Sequence, residues 1–405
     1  MLFNTKNESN KFLLILTPSF TGGSWNMFYR FIKFYKKNYP ETSISIVGSG
    51  KIDKRLENLG NLSSLGIKWF DYNKYVHKLE RSPILNIIFN LPLLILITVY
   101  IIINFSRISV IMSNGLLSLF PAIFIKYISK RNIGLFPWLH VDLRLSESKL
   151  IKKVVKSCSK FINAFFVNSE DTKEDLIKCG VGRKKVVVVN NWIDYIKLPS
   201  DKIQKFKDKY RFLNSYKFIV LYVGRFVHYK HFPLYLKVAE KLASEEIAFI
   251  FVGDGELYYM VQEATSKNNN IFVLRGIPDD ELRYLYSIAN ITLTYADETY
   301  LSLTALESLS MGTPIVYADI SVSPSKYYKK IKIRRELVPK AIGFKVEACV
   351  YEIGRLIKSL KDANFPTHNI RAKCMEYIKL NHSERNAEIL SNILSIRGNR
   401  NDKNR

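Results

Sequence analysis

The stretch ETYLSLTALESLSMGTPIV, Glu298 to Val316, sets two carboxylates in an otherwise apolar run that stops at a glycine and restarts as a β-like segment. Leu303, Leu306 and Ser310 recur at helical spacing, and Ala305 and Leu309 widen the face. The run therefore predicts an amphipathic helix with Glu307 at an edge of its apolar side. Gly312 suits a left-handed helix exit, and Pro314 prevents the helix from continuing. PIVYAD then reads as a buried strand, and TYADETY upstream as the strand end and loop that aim the helix.

The same alternation runs upstream through KFIVLYVG, FPLYLKVAEKL, IAFIFVGDG, LYYMVQEA, NIFVLRG, DDELRYLYSIA and ITLTYA. An earlier series comprises KFLLILTP, the glycine turn and helix of GGSWNMFYRFIKFYKKNYP, TSISIVGSG, RISVIMSNG, NIGLFPWLH, AFFVNSE and KVVVVNN. Short Val/Ile/Phe runs separated by helices suit parallel strands covered on both faces. Between the series, YIKLPSDKIQKFKDKYRFLNSYK is lysine-rich and without strand character, and reads as a linker. The prediction is an α/β protein of two doubly wound, Rossmann-like domains facing across a cleft, at 1–198 and 199–375, with a helix and frayed tail at 376–405.

At 405 residues two domains are the natural division, and 47% apolar against 24% charged residues excludes a disordered chain. A formal net charge of +25 points to phosphorylated substrates, an anionic membrane or nucleic acid. No RNP or helix-turn-helix signature supports nucleic acid, which is not expected as a partner. Cys158, Cys179, Cys349 and Cys374 lie far apart without metal-ligand spacing, so reduced cytosolic thiols are expected. The apolar N-terminal run is short for a signal peptide and reads as a first strand.

One segment tests the cytoplasmic expectation. Ile84–Phe105 is uncharged and long enough to span a bilayer at about 20 residues, but carries Asn86, Asn90, Pro92 and Asn104. A helix packed in a domain or lying on a membrane is favoured over a span. In SKLIKKVVKSCSKF, Lys149, Lys152, Lys153, Lys156 and Lys160 line one side. Leu150, Ile151, Val154, Val155 and Phe161 take the other. Such a helix meets anionic lipid, lays its apolar side on the sheet, or does both.

Arg225 directly follows the strand-ending Gly224, and Lys230 comes five residues later. Ligands of doubly wound sheets bind beyond the carboxyl ends of the strands. There the two cations could clamp a diphosphate, Arg225 by its fork and Lys230 as a point charge. VGDGE repeats the strand-then-glycine arrangement at Gly253, although a lone GxG is weak evidence for a nucleotide site. The helix N-terminus near Ser302 and Leu303 favours a phosphate through free N–H groups and the helix dipole. Glu307, one turn inside, could accept hydrogen bonds from sugar hydroxyls. There is no P-loop, and no DxD metal signature.

Together and in order, these marks resemble the retaining GT-B glycosyltransferases of family 4, among the glycosyl transferases group 1. The carriers are VGRFVHYK, FVGDGE, IFVLRGIPDDELRYLYSIANITLTYA and ETYLSLTALESLSMGTPIV, with TGGSWN, FPWLHVDLR, FFVNSEDTKEDLIKCGV and VVVVNNWID in the first half. The resemblance implies transfer of a sugar, with retention and without metal, from a nucleotide-diphosphate sugar to a saccharide acceptor. A lipid-linked acceptor on the inner membrane face, and peripheral contact with that membrane, suit the charge. It also implies that the last helix crosses back toward the first domain.

Carried residue by residue, Arg225 and Lys230 match the donor-diphosphate cations, and Glu307 matches the acid that takes the ribose hydroxyls. Gly22 and Gly23 match the glycine loop near the donor phosphate, and His140 a histidine at the reaction site. The first acid of the family pattern falls by spacing on Thr299. Glu298, one residue earlier, fills that role if the loop holds one extra residue; otherwise the role is lost and the chain is an inactive scaffold or partner subunit. His231 stands where glycine usually follows the lysine, and ISVSPSKYYKKIKIRREL replaces the glycine-rich turn expected after PIV.

Overall fold

The structure is a computed structural model that describes residues 12–17, 22–48, 68–71, 108–116, 118–129, 132–140, 145–193, 198–243, 246–295, 300–321, 331–332 and 336–399. Ile84–Phe105, Glu298, Thr299 and most of the lysine/arginine loop lie outside the described residues. The chain divides into two compact units, Met1–Asn190 with Arg385–Arg405, and Asn191–Glu384.

The first unit is built on seven parallel strands: β1 (Phe12–Thr17), β2 (Ser43–Gly48), β3 (Lys68–Asp71), β4 (Ile108–Asn114), β5 (Gly134–Leu139), β6 (Phe165–Val167) and β7 (Val186–Val188). They lie in the order β3-β2-β1-β4-β5-β6-β7. The continuously apolar runs predicted for such strands are continuously buried in β4 except at Ser109, and throughout β5 and β6. Helix α1 (Gly22–Asn38) buries Trp25, Phe28, Phe31, Ile32 and Tyr35 at helical spacing. Three helices follow: α2 (Leu119–Ile128), α3 (Lys149–Cys158) and α4 (Glu170–Lys178). Ser148 and Ser169 cap α3 and α4, accepting from the Ile151 and Thr172 amides.

The second unit carries a six-stranded parallel sheet of β8 (Phe218–Val223), β9 (Ile247–Val252), β10 (Ile271–Leu274), β11 (Ile291–Thr294), β12 (Ile315–Ala318) and β15 (Gly343–Val346). Its order is β10-β9-β8-β11-β12-β15; β13 (Ile320–Ser321) and β14 (Ile331–Lys332) form a separate antiparallel pair. The predicted linker is instead a helix, α5 (Ser200–Lys209), with a 3-10 turn at Arg211–Ser215. Phe206 and Leu213 are buried with Leu221, Ile250 and Leu285, and Ile203 and Tyr210 pack beside them. Ile203, Phe206 and Tyr210 make a narrow stripe at helical spacing, which the surrounding lysines obscure in the sequence.

Helices α6 (Phe232–Lys241), α7 (Tyr258–Lys267), α8 (Asp279–Ile288), α9 (Leu303–Ser310), α10 (Val350–Asp362) and α11 (His368–Asn381) complete this unit. Its two ends are tied together: the Ile193 amide donates to the His382 carbonyl at 3.0 Å, and His382 Nδ1 bonds the Asn191 carbonyl at 2.7 Å. The last helix, α12 (Arg385–Asn399), returns to the first unit and packs against α1, β4 and β5. Among the described residues, no helix is long and apolar enough to cross a membrane.

Candidate active site

In the second sheet β8 is the strand at which the order reverses, because the chain proceeds from it to β9 on one side and reaches β11 on the other. The crevice beyond its carboxyl end is where such folds receive ligands. Two glycine turns interlock there. The Gly224 amide donates to the Val252 carbonyl at 2.9 Å, and the Gly253 amide to the Leu274 carbonyl at 3.1 Å. Both glycines have positive φ, 151° and 149°. A Cβ on Gly253 would stand 1.9 Å from the Gly224 carbonyl oxygen, a clash with backbone that nothing nearby can relieve.

The cations sit on this platform. The Tyr222 hydroxyl donates to the Arg225 carbonyl at 3.0 Å, fixing the turn, while the exposed Arg225 guanidinium bonds the Tyr229 hydroxyl. Lys230 closes a 3-10 turn, His228–Lys230. Its Nζ lies 4.6 Å from the Tyr295 ring centroid, and its side chain runs along the open side of Gly224. Burial pushes the Tyr222 hydroxyl well above the ordinary phenol range, and the neighbouring tyrosines add to this, so it remains a neutral donor. His231 occupies the left-handed region with φ 58°, which accounts for the glycine expected there.

The predicted helix is α9. Ser302 caps it by accepting from the Ala305 amide at 3.2 Å and shares a 3.1 Å hydrogen bond with Thr294 at the end of β11. The Tyr235 hydroxyl donates to the Thr294 carbonyl at 2.7 Å. The N-terminus of α9 is thus pinned to the strand that leads into Tyr295, the ring beneath Lys230. Its first amides, beginning at Leu303, have no acceptor within the helix. Glu307 is half-buried on α9 and receives the Tyr286 hydroxyl from α8 at 3.4 Å. Gly312 ends the helix at φ 80°, as its sequence position predicts.

In the first unit, Gly22 and Gly23 open α1 directly after β1, which is again the strand of reversal. Asn114, at the end of β4, donates to Thr17 Oγ1 at 3.0 Å and lies 3.5 Å from Ser24 Oγ in the first turn of α1. His140 follows β5, so it shares the carboxyl edge of the sheet with these groups. Its ring is buried against Trp138 (4.4 Å) and Phe28 (5.6 Å), and Nε2 has no hydrogen-bond partner among the described residues. Burial holds its pKa down at about 3, so the imidazole is neutral across the physiological range.

The structure therefore gathers Gly224, Arg225, Lys230 and Gly253 at one strand end, and links Ser302 and Leu303 to it through Thr294 and Tyr295. Sequence reasoning missed the tyrosines that hold the cations, although Tyr222, Tyr229 and Tyr295 lie within the quoted motifs. It also missed Arg275, which pairs with Asp254 of the second glycine turn and lies 4.3 Å from the Tyr258 ring centroid. A separate cavity of about 740 Å³ runs along β15 and α10, lined by Glu336, Lys345, Glu352 and Arg355 among others. It shares no lining residue with the glycine turns.

Two successive Rossmann-like α/β units define the GT-B class, and solved structures of that class superimpose along nearly the whole chain. One is Anabaena Alr3699/HepE in complex with UDP, with a TM-score of 0.70 at 17% identity, covering 95% of this chain and 99% of that one. Another is a glycosyltransferase from Rickettsia africae ESF-5, with a TM-score of 0.69 at 16% identity, covering 95% and 99%. Residues 203–358, within the second unit, match the family model of glycosyl transferases group 1. The resemblance to GT-B glycosyltransferases drawn from the motifs is borne out; the matches do not specify family 4. A curated relative, the alpha-galactosylglucosyldiacylglycerol synthase of Streptococcus pneumoniae (strain ATCC BAA-255 / R6), is 27% identical over 216 residues, 48% of this chain and 55% of the relative. The chain thus aligns with about half the length of that curated relative.

Proposed function

We propose that this protein is a glycosyltransferase that moves a sugar from a nucleotide-diphosphate sugar to a saccharide acceptor carried on a lipid, in glycolipid or cell-surface polysaccharide synthesis. The observation that carries the reading is the pair Arg225 and Lys230, seated on interlocked glycine turns at the switch point of β8, beside the open N-terminus of α9. Breaking the bond between the anomeric carbon and the diphosphate leaves negative charge on the departing oxygen. A guanidinium, an ammonium and helix amides fixed around that charge stabilise it without reorganising. They supply what a divalent metal would otherwise supply, and transfer without metal and with retention follows the resemblance. Glu307 takes the ribose hydroxyls, oriented by Tyr286. His140, neutral and with Nε2 available, offers one hydrogen bond to donor or acceptor but no imidazolium proton. Glu298 is assigned the part of the first acid.

The curated relative's name, a diacylglycerol glycolipid synthase, supports a lipid-borne acceptor, and the net charge of +25 supports work at an anionic membrane from the cytoplasmic side. The test is a melting-temperature screen with UDP-, GDP- and ADP-sugars, followed by nucleotide release with the donor that binds. A shift abolished by Arg225→Ala and by Lys230→Ala supports the reading. A shift that survives both variants removes the cation pair from it, and absence of nucleotide release with every glycolipid acceptor leaves a non-catalytic scaffold.

A further inference from the structure

Apart from Lys126, helix α2 is apolar on all sides. Leu119, Ala122 and Ile125 are buried against the first sheet. On the opposite side Phe120, Tyr127 and Ile128 are exposed at 56%, 74% and 40%, and Phe124 between them is half-buried. The spacing 120, 124, 127, 128 is one continuous helical stripe. Water is a poor neighbour for such a stripe, and a helix apolar all round is ordinarily covered on every side.

Helix α3 continues the surface. The sequence allowed its apolar residues to lie on the sheet, but only Val155 is buried; Leu150 is 72% exposed, and Ile151 and Phe161 are exposed as well. α2 connects β4 to β5 and α3 lies between β5 and β6, so right-handed crossovers set the two helices side by side on one face. Lys126 joins them: its Nζ donates to the Phe161 carbonyl at 2.7 Å and to Asn163 Oδ1 at 3.2 Å. The Lys156 side chain lies against Gly180, beyond the end of α4. The lysine flank of α3 therefore turns toward α4, and the flank bearing Leu150 and Val154 turns toward α2. Lys149, Lys152, Lys153, Lys156 and Lys160 are all exposed, and neither α2 nor α3 contains an acidic residue. Acids begin at Glu147, before α3, and at Glu170, Asp171, Glu174 and Asp175 on α4.

We infer that the α2–α3 face docks on an anionic lipid bilayer, with Phe120, Tyr127, Ile128, Leu150 and Phe161 entering the interfacial region and the α3 lysines resting on the headgroups. An apolar strip bordered on one side by cations matches a surface that is apolar beneath and negative on top. This deepens the membrane part of the proposed function but does not depend on sugar transfer, because it is read without donor or acceptor.

The experiment is co-sedimentation of the full chain with phosphatidylcholine vesicles with and without phosphatidylglycerol, at low and high salt. Wild type should bind the anionic vesicles and bind less in high salt. Lys149→Gln/Lys153→Gln/Lys156→Gln should weaken low-salt binding by about a hundredfold, at roughly fivefold per lysine. Tyr127→Ser/Leu150→Ser, which alters only exposed side chains, should weaken binding at both salt concentrations while leaving the nucleotide-sugar melting shift unchanged. Three results overturn the inference. They are no binding by wild type, binding unchanged by Tyr127→Ser/Leu150→Ser (the apolar face is then covered by other residues or idle), and a solution dimer that this double variant dissociates. Loss of vesicle binding with the donor shift intact separates failure here from failure of the glycosyltransferase reading.

Discussion

His140 couples the carboxyl edge of the first sheet to pH through stability. The imidazole is enclosed by Trp138 and Phe28, and burial holds its folded pKa at about 3, whereas an exposed histidine titrates near 6.5. At about pH 8 both folded and unfolded chains carry it neutral, and it contributes no pH dependence. As pH falls through about 6.5 the unfolded chain takes up a proton that the folded chain refuses, so stability is lost on acidification. Integrated from about pH 8 to about pH 5, the loss is about 2 kcal/mol. His140→Gln keeps a polar side chain of similar size without the titration. Urea unfolding of both proteins at the two pH values, followed by Trp fluorescence, should give a wild-type loss about 2 kcal/mol greater than the variant's. His382 in the second unit is also held low by burial and shifts stability in the same sense, but it is common to both proteins and cancels. Equal losses in wild type and variant would refute the buried neutral imidazole and with it the reading of His140 as an uncharged hydrogen-bonding group.

The second unit is open to sharper substitutions. Arg225→Ala and Lys230→Ala each remove a cation proposed to hold the diphosphate and should weaken nucleotide-sugar binding by about 1.5–3 kcal/mol, read as a rise in Kd of about ten- to 150-fold by calorimetry. Gly253→Ala places a methyl group on the Gly224 carbonyl and should lower the melting temperature of the second unit and abolish the donor shift together. At His231 the left-handed backbone makes His231→Gly more stable than His231→Ala by about 1 kcal/mol in chemical denaturation. Glu298→Gln should spare donor binding and abolish transfer; full activity in that variant moves the first-acid role elsewhere.

Most of the fold was legible because its strands are buried on both faces and so write themselves as unbroken Val/Ile/Phe runs. The helix of the quoted stretch was legible for a different reason: Ser302, Gly312 and Pro314 mark its ends by local rules that tertiary context seldom overrides. The α5 helix escaped because only two of its ten residues, Ile203 and Phe206, are apolar and reach the core, and lysines dominate its composition. The α3 stripe was legible, but its covering was left open between lipid and sheet. A hydrophobic stripe in a sequence says that a face avoids water, but not whether a sheet or something outside the chain covers it.

A chain of net charge +25 offers many lysines and arginines, and a basic loop after a strand is weak evidence by itself. What separates Arg225 and Lys230 from the rest is the backbone beneath them. A side chain at Gly253 would strike the Gly224 carbonyl, and Gly224 itself holds a positive φ that disfavours one. Tyr222 sets a buried hydroxyl on the Arg225 carbonyl, and Tyr295 a ring face against Lys230. Solvated surface lysines need no such support, since their entropy favours leaving them free. Rigid placement of like charges costs stability unless an anion occupies the space between them. A phosphate ester is the anion we propose for this strand-end crevice beside the first amides of α9, and the glycine turns are what would let it approach the backbone closely.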